Sequence, residues 1–169
     1  MIVLKQRENK QLKKYSALEV ACYIINYCNE KNYNITHLRV EKILYFIQLY
    51  YLKKEKTTCF WEDIEAWSFG PVVPEVYHQL KQYCSFLIDP IKEYWDLSKG
   101  IWNVQRKKYV SCISQQDQEN INSVIDMCEQ YSTTELTTIT KNQTPWINTY
   151  YRNKKVITIS LLKDFCEYI

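Results

Sequence analysis

The chain has 169 residues, of which 46% are hydrophobic and 24% charged, a balance that specifies one globular domain and excludes a disordered protein. Its net charge of +3 is too slight to imply nucleic acid as a partner. The opening residues lack the apolar core of a signal peptide and no apolar run approaches the ~20 residues of a membrane span, so a cytoplasmic protein without membrane contact is expected.

Residues 1–15 carry Lys5, Arg7, Lys10, Lys13 and Lys14 against Glu8 and are expected to be a solvated, basic N-terminal extension. Ser16 and Glu19 have the spacing of a capping box. The stripe Leu18, Ala21, Cys22, Ile25 and Cys28 then predicts a first helix to about residue 30. Thr36 is the expected N-cap of a second helix, residues 36–54. Val40, Ile43, Leu44, Ile47 and Tyr51 form one of its stripes; Leu38, Tyr45, Leu49 and Leu52 form another. A helix apolar on more than one side is enclosed by its neighbours, which makes this the central helix.

A short strand is expected over residues 64–68, then a tight bend at Gly70-Pro71, then a helix opened by Pro74 and running to Tyr83. Residues 101–104 and 109–113 are expected to pair as a hairpin, with Gln105, Arg106, Lys107 and Lys108 as its turn. Ser114 with Asp117 starts a further helix in which Ile121, Val124, Ile125 and Cys128 keep a 3.6-residue period. Ser132 with Glu135 is a second capping box, Pro145-Trp146 opens a short helix, and the last helix follows Thr158. The fold class is therefore mainly α: a single compact helical domain around a central buried helix, with a small antiparallel β element.

Seven cysteines, widely spread and without a C-x-x-C pair, are expected to be small buried hydrophobes in a reducing compartment; with only His37 and His78 available, no zinc spacing can be assembled. Cys84 and His78, six positions apart, fall on opposite sides of a continuous helix, so they make no nucleophile pair. His78 with Glu75 is expected to be solvated. Of Glu62, Asp63 and Glu65, at most two converge on one side of a strand, which is too few for a metal. No catalytic residue, metal or cofactor is expected, and the chain is read as a binding module, not an enzyme. Fifteen tyrosines and five tryptophans suggest a contact surface, with about three in four of them in core or half-buried positions.

Two strings carry a resemblance: Arg39-Val40-Glu41-Lys42-Ile43-Leu44-Tyr45-Phe46, and Ile64-Glu65-Ala66-Trp67-Ser68-Phe69-Gly70-Pro71-Val72-Val73-Pro74-Glu75-Val76-Tyr77. The chain resembles the Panacea domain family, which includes SocA-like antitoxins of bacterial and phage toxin–antitoxin systems. The family pattern is a "KLQKLLYY"-like helix followed by "EAW-x-x-GPVxPxVY". This chain departs from it at Glu41, where the family usually has Gln. Looser matches at Leu136, Pro145-Trp146 and residues 159–165 extend the likeness over residues 16–169.

The resemblance implies an antitoxin that binds a cognate protein toxin, encoded in the same operon, and neutralises it by direct contact or by delivery to a protease. A groove beside the central helix and residues 61–77 is the expected contact, with Lys42, Tyr45, Trp61, Glu65, Trp67 and Tyr77 as partner-binding candidates. Gly70, Pro71, Pro74 and Trp146 are expected to be structural. Lys42 and Glu65 are alternatively expected to pair with each other and fix the strand to the helix. Two rival readings are a phage-encoded inhibitor of a host defence protein using the same fold, and a nucleic-acid-binding regulator using the basic N-terminus with Trp102, Arg106, Lys107, Lys108 and Tyr109.

Overall fold

The computed structural model describes residues 2–4, 15–96 and 103–168. In chain order the elements are β1 (Val3–Leu4), α1 (Ala17–Glu30), α2 (His37–Lys54), β2 (Ile64–Trp67), β3 (Gly70–Val72) and α3 (Pro74–Leu80) with a 3-10 turn at Lys81–Tyr83. Then follow β4 (Glu93–Asp96), β5 (Gln105–Lys108), α4 (Gln115–Glu129), α5 (Thr133–Lys141), α6 (Thr144–Tyr150), β6 (Val156–Ile157) and α7 (Ile159–Tyr168). The protein is mainly helical, with two small three-stranded sheets among the described residues, ordered β1-β4-β5 and β3-β2-β6.

Helix α2 is the axis. It packs against α1, α3, α4, α5, α7 and β3, and most of its side chains are buried, as its double stripe requires. Its apolar residues supply area, but its buried polar residues decide which neighbour sits where. The Arg39 guanidinium donates to the carbonyls of Cys128 and Tyr131 at the C-terminal end of α4 and pairs with Glu129. There it meets the negative end of that helix's dipole. The Gln48 amide accepts from Cys59 N–H at 2.9 Å and donates to the Phe60 carbonyl at 3.2 Å, holding the segment before β2. A buried polar group is costly unless bonded, so each of these struts specifies one arrangement.

The tyrosines dock α4. Tyr15 and Tyr51 donate to the two carboxylate oxygens of Asp117 at 2.5 and 2.7 Å, Tyr50 to Asn120, Tyr23 to Asn122, and Tyr27 and Tyr33 to Asp126. Each ring buries apolar area while its hydroxyl reaches the polar side of α4. Of the fifteen tyrosines only Tyr131, Tyr151 and Tyr168 are exposed, so most of the aromatic excess serves the interior.

The predicted helices form with their caps. Ser16, Thr36, Ser114 and Ser132 each accept from the amide three residues on, and Ser132–Glu135 is a complete capping box. Glu19 does not close the box at Ser16. Its carboxylate instead takes the Tyr109 hydroxyl, the Ser111 hydroxyl and the Cys112 N–H, which ties the 109–112 segment to α1.

That tie overturns the predicted hairpin. Residues 109–113 form no strand, and residues 101–102 lie outside the described ones. Gln105–Lys108, expected as the turn, is itself a strand, antiparallel to Glu93–Asp96 in register Tyr94↔Lys107 and Trp95↔Arg106. All four of its residues are exposed, so it carries no apolar alternation by which to find it. The expectation of a solvated N-terminus fails for residues 2–4: Ile2 is buried and Val3–Leu4 pairs in parallel with Trp95 and Asp96. Lys5, Arg7, Lys10, Lys13 and Lys14 lie outside the described residues, as does Trp102.

All seven cysteines are free thiols, five buried and two, Cys84 and Cys112, exposed, which corrects the expectation for those two. No helix among the described residues is long and apolar enough to cross a membrane.

Candidate functional site

Gly70-Pro71, expected as a tight bend, instead lies in the second strand of a hairpin. β2 and β3 pair antiparallel through Trp67↔Gly70, Ala66↔Pro71 and Glu65↔Val72, leaving Ser68-Phe69 as a two-residue loop. Gly70 has φ +104°, a conformation L side chains rarely adopt, and a Cβ there would lie 2.7 Å from Lys42 Nζ. Glycine is thus required twice: by the turn, and by the approach of the lysine. Pro74 follows at the first turn of α3, where its missing N–H is no loss.

Two adjacent charged residues of α2 hold this hairpin from below. Lys42, 0% exposed, donates from Nζ to the Pro71 carbonyl at 2.9 Å, and Glu41 accepts the Val73 N–H at 2.8 Å through Oε2. Glu41 Oε1 has no hydrogen-bond partner among the described residues. Burial pushes the Glu41 carboxyl above its usual range, against the opposing pull of the Val73 N–H and the Lys42 charge. Burial likewise pushes the Lys42 ammonium down, partly countered by Glu41. A buried carboxyl held toward its neutral form is a near-isostere of the glutamine that the family pattern has at this position.

Lys42 and Glu65 do not pair, contrary to that expectation. Lys42 is taken by the Pro71 carbonyl, whereas Glu65 accepts from Trp67 Nε1 at 2.8 Å and pairs with Lys155 at 3.1 Å. The helix–hairpin link exists, but it runs to the backbone of the bend. The Pro71 carbonyl there needs a donor, which a carboxylate cannot supply.

Above the clasp lies an aromatic cluster. Trp67, Phe69 and Tyr77 are half-buried, with ring centroids 5.6 Å (Trp67–Phe69), 4.9 Å (Trp67–Tyr77) and 6.0 Å (Phe69–Tyr77) apart. The His37 and His78 rings both meet Tyr77 edge-on at 5.8 Å. From α6, Trp146 stacks on Tyr150 at 4.5 Å and donates Nε1 to the Trp67 carbonyl at 3.1 Å.

Of the partner-binding candidates, the structure brings Trp67, Tyr77 and Glu65 together at the hairpin. Lys42 and Tyr45 are fully enclosed, Lys42 bonded to the Pro71 carbonyl and Tyr45 donating to Gln143 at 2.8 Å, so neither presents a surface. Trp61, 40% exposed, stands at the far end of β2, where the next residue, Glu62, accepts from Ala17 N–H at the start of α1. Glu62 and Glu65 thus have separate duties. Sequence reasoning missed Glu41, for which the departure from the family pattern was the available signal, and Phe69, which carried none.

A sequence model described as antitoxin SocA-like, Panacea domain, matches residues 40–147, which run from the clasp helix through the hairpin to the Trp146–Gln143 corner. No curated protein and no solved structure matches this chain.

Proposed function

The chain belongs to the SocA-like antitoxin family and carries its Panacea domain, and from that membership in an antitoxin family we propose that it binds a cognate protein toxin directly, through the aromatic hairpin, and neutralises it without any chemical step. The observation that carries this reading is the Trp67–Phe69–Tyr77 cluster: three half-exposed rings, two on a hairpin that is held from within by Glu41 and Lys42 and the third on α3 directly after it. Preorganised aromatic anchors of this kind are what protein interfaces use as hot spots, since little ordering entropy is lost on binding.

The partner is a toxin encoded beside this chain, and the encounter takes place in the cytoplasm. Occlusion of the toxin and its delivery to a protease both begin with this contact. Co-purification of the neighbouring gene's product with this chain, together with rescue of cells expressing that product, tests the proposal. Absence of both association and rescue overturns it.

A further inference from the structure

The sequence between Glu135 and Asp164 contains five Lys or Arg residues and no Asp or Glu. The fold gathers part of this stretch into one corner. Tyr151, 73% exposed, closes α6 and meets Trp146 and Tyr150 edge-on at 6.0 and 5.5 Å. Arg152 and Lys154 follow it in the exposed α6–β6 connection. On the other side Lys141 places Nζ 5.2 Å over the Trp146 ring. Lys141 also lines an open groove between Leu38 of α2 and the threonines of α5. The corner is continuous with the hairpin, because Trp146 donates to the Trp67 carbonyl and Lys155 pairs with Glu65.

We propose that this corner, Tyr151 flanked by Arg152, Lys154 and Lys141, is a docking surface for an acidic, apolar-bearing segment of the protein partner. The proposal rests on the antitoxin reading above and specifies the chemistry of what is bound. Charge selects the occupant: a local cationic excess around an exposed ring favours carboxylates beside an apolar side chain, and arginine with tyrosine is the usual anchor composition. A second copy meeting this corner about a two-fold axis would set Arg152 and Lys154 against themselves, which disfavours self-association. Nucleic acid is disfavoured because the Trp146 and Tyr150 faces are stacked on each other, which leaves Tyr151 as a single ring where successive bases need a series of platforms, and Lys155 is already paired with Glu65.

The test has two arms. In the first, affinity for the neighbouring gene's product is measured for the wild type, Arg152→Glu/Lys154→Glu, Tyr151→Ala and the conservative Arg152→Lys/Lys154→Arg. The charge reversal and the alanine variant are each expected to weaken binding by about tenfold or more, the conservative pair to retain it, and wild-type affinity to fall as salt is raised. Wild-type binding that none of these changes alters overturns the docking surface and leaves the antitoxin reading intact. No wild-type binding removes the antitoxin reading, and the second arm then decides the surface. There a synthetic peptide alternating Glu and Leu, its Lys-for-Glu counterpart and a thymidine oligonucleotide are titrated while the indole N–H resonances of Trp146 and Trp67 are followed. Shifts with the acidic peptide alone support the proposal. Silence, or a response to the oligonucleotide alone, overturns it.

Discussion

Lys42 lies directly beneath Gly70: its Nζ is 2.7 Å from the place where any side chain at Gly70 would begin. The lysine ammonium fills the volume that glycine leaves open and donates to the next residue's carbonyl, that of Pro71. A buried cation and a positive-φ glycine, twenty-eight positions apart in the sequence and on different elements, are therefore one structural unit.

Gly70→Ala is expected to be among the most destabilising single changes in the hairpin. It incurs both the φ +104° strain and a clash with Lys42 Nζ, with a tight contact to Thr140 Oγ1, together about 2–3 kcal/mol. Ser68→Ala in the exposed loop should stay within about 0.5 kcal/mol. Urea denaturation of both variants checks the contrast.

Glu41 makes the stability depend on pH. Its carboxyl is held above the ordinary 4.5 by burial, so the folded state binds the proton more tightly than the unfolded chain does. That contribution is complete below about pH 4.5 and is lost as pH rises through the raised value. Glu41→Gln keeps an acceptor for Val73 N–H and does not titrate. Relative to wild type it should gain on the order of 1 kcal/mol between pH 5 and neutrality. Parallel stability–pH curves for the two proteins would contradict this account.

Tyr51→Phe leaves one carboxylate oxygen of Asp117 without its 2.7 Å donor at a buried ring. A loss of about 1–2 kcal/mol is expected, against about 0.5 kcal/mol or less for Tyr131→Phe at an exposed position. Thermal or chemical unfolding of the pair separates tyrosines that dock α4 from those that do not.

Tyr77→Ala opens the centre of the aromatic cluster without touching Glu41 or Lys42. Toxin affinity should fall about 10- to 100-fold while helical circular dichroism is retained. Trp61→Ala, at the far end of β2, should change affinity less than tenfold. Calorimetric titration with the neighbouring gene's product ranks the two.

Much of the fold was legible one residue at a time. Caps at Ser16, Thr36, Ser114 and Ser132, the double stripe of α2, Pro74 at a first helical turn and the punctuation at Gly70-Pro71 all express interactions reaching only a few residues along the chain. The β elements were legible only in part: β2 shows an apolar-aromatic run, whereas Gln105–Lys108 has no buried face and looks like a polar turn until Glu93–Asp96 is placed beside it. The same holds for polar partners. Glu19 has the spacing to cap its own helix, yet its carboxylate reaches residues 109, 111 and 112. Lys42 had a plausible carboxylate in Glu65 and took the Pro71 carbonyl instead.

The amino-acid order alone determined the family and the helices with their starts, because each follows from local backbone preference and a recurring pattern. Tertiary structure alone decided that six of the tyrosines face α4, that Lys42 and Tyr45 lie inside while Trp67 and Tyr77 remain half-open, and that Tyr151 joins the basic α6–β6 connection. Those outcomes depend on which desolvated donors and acceptors must find one another across the assembled core, a requirement that has no period in the sequence.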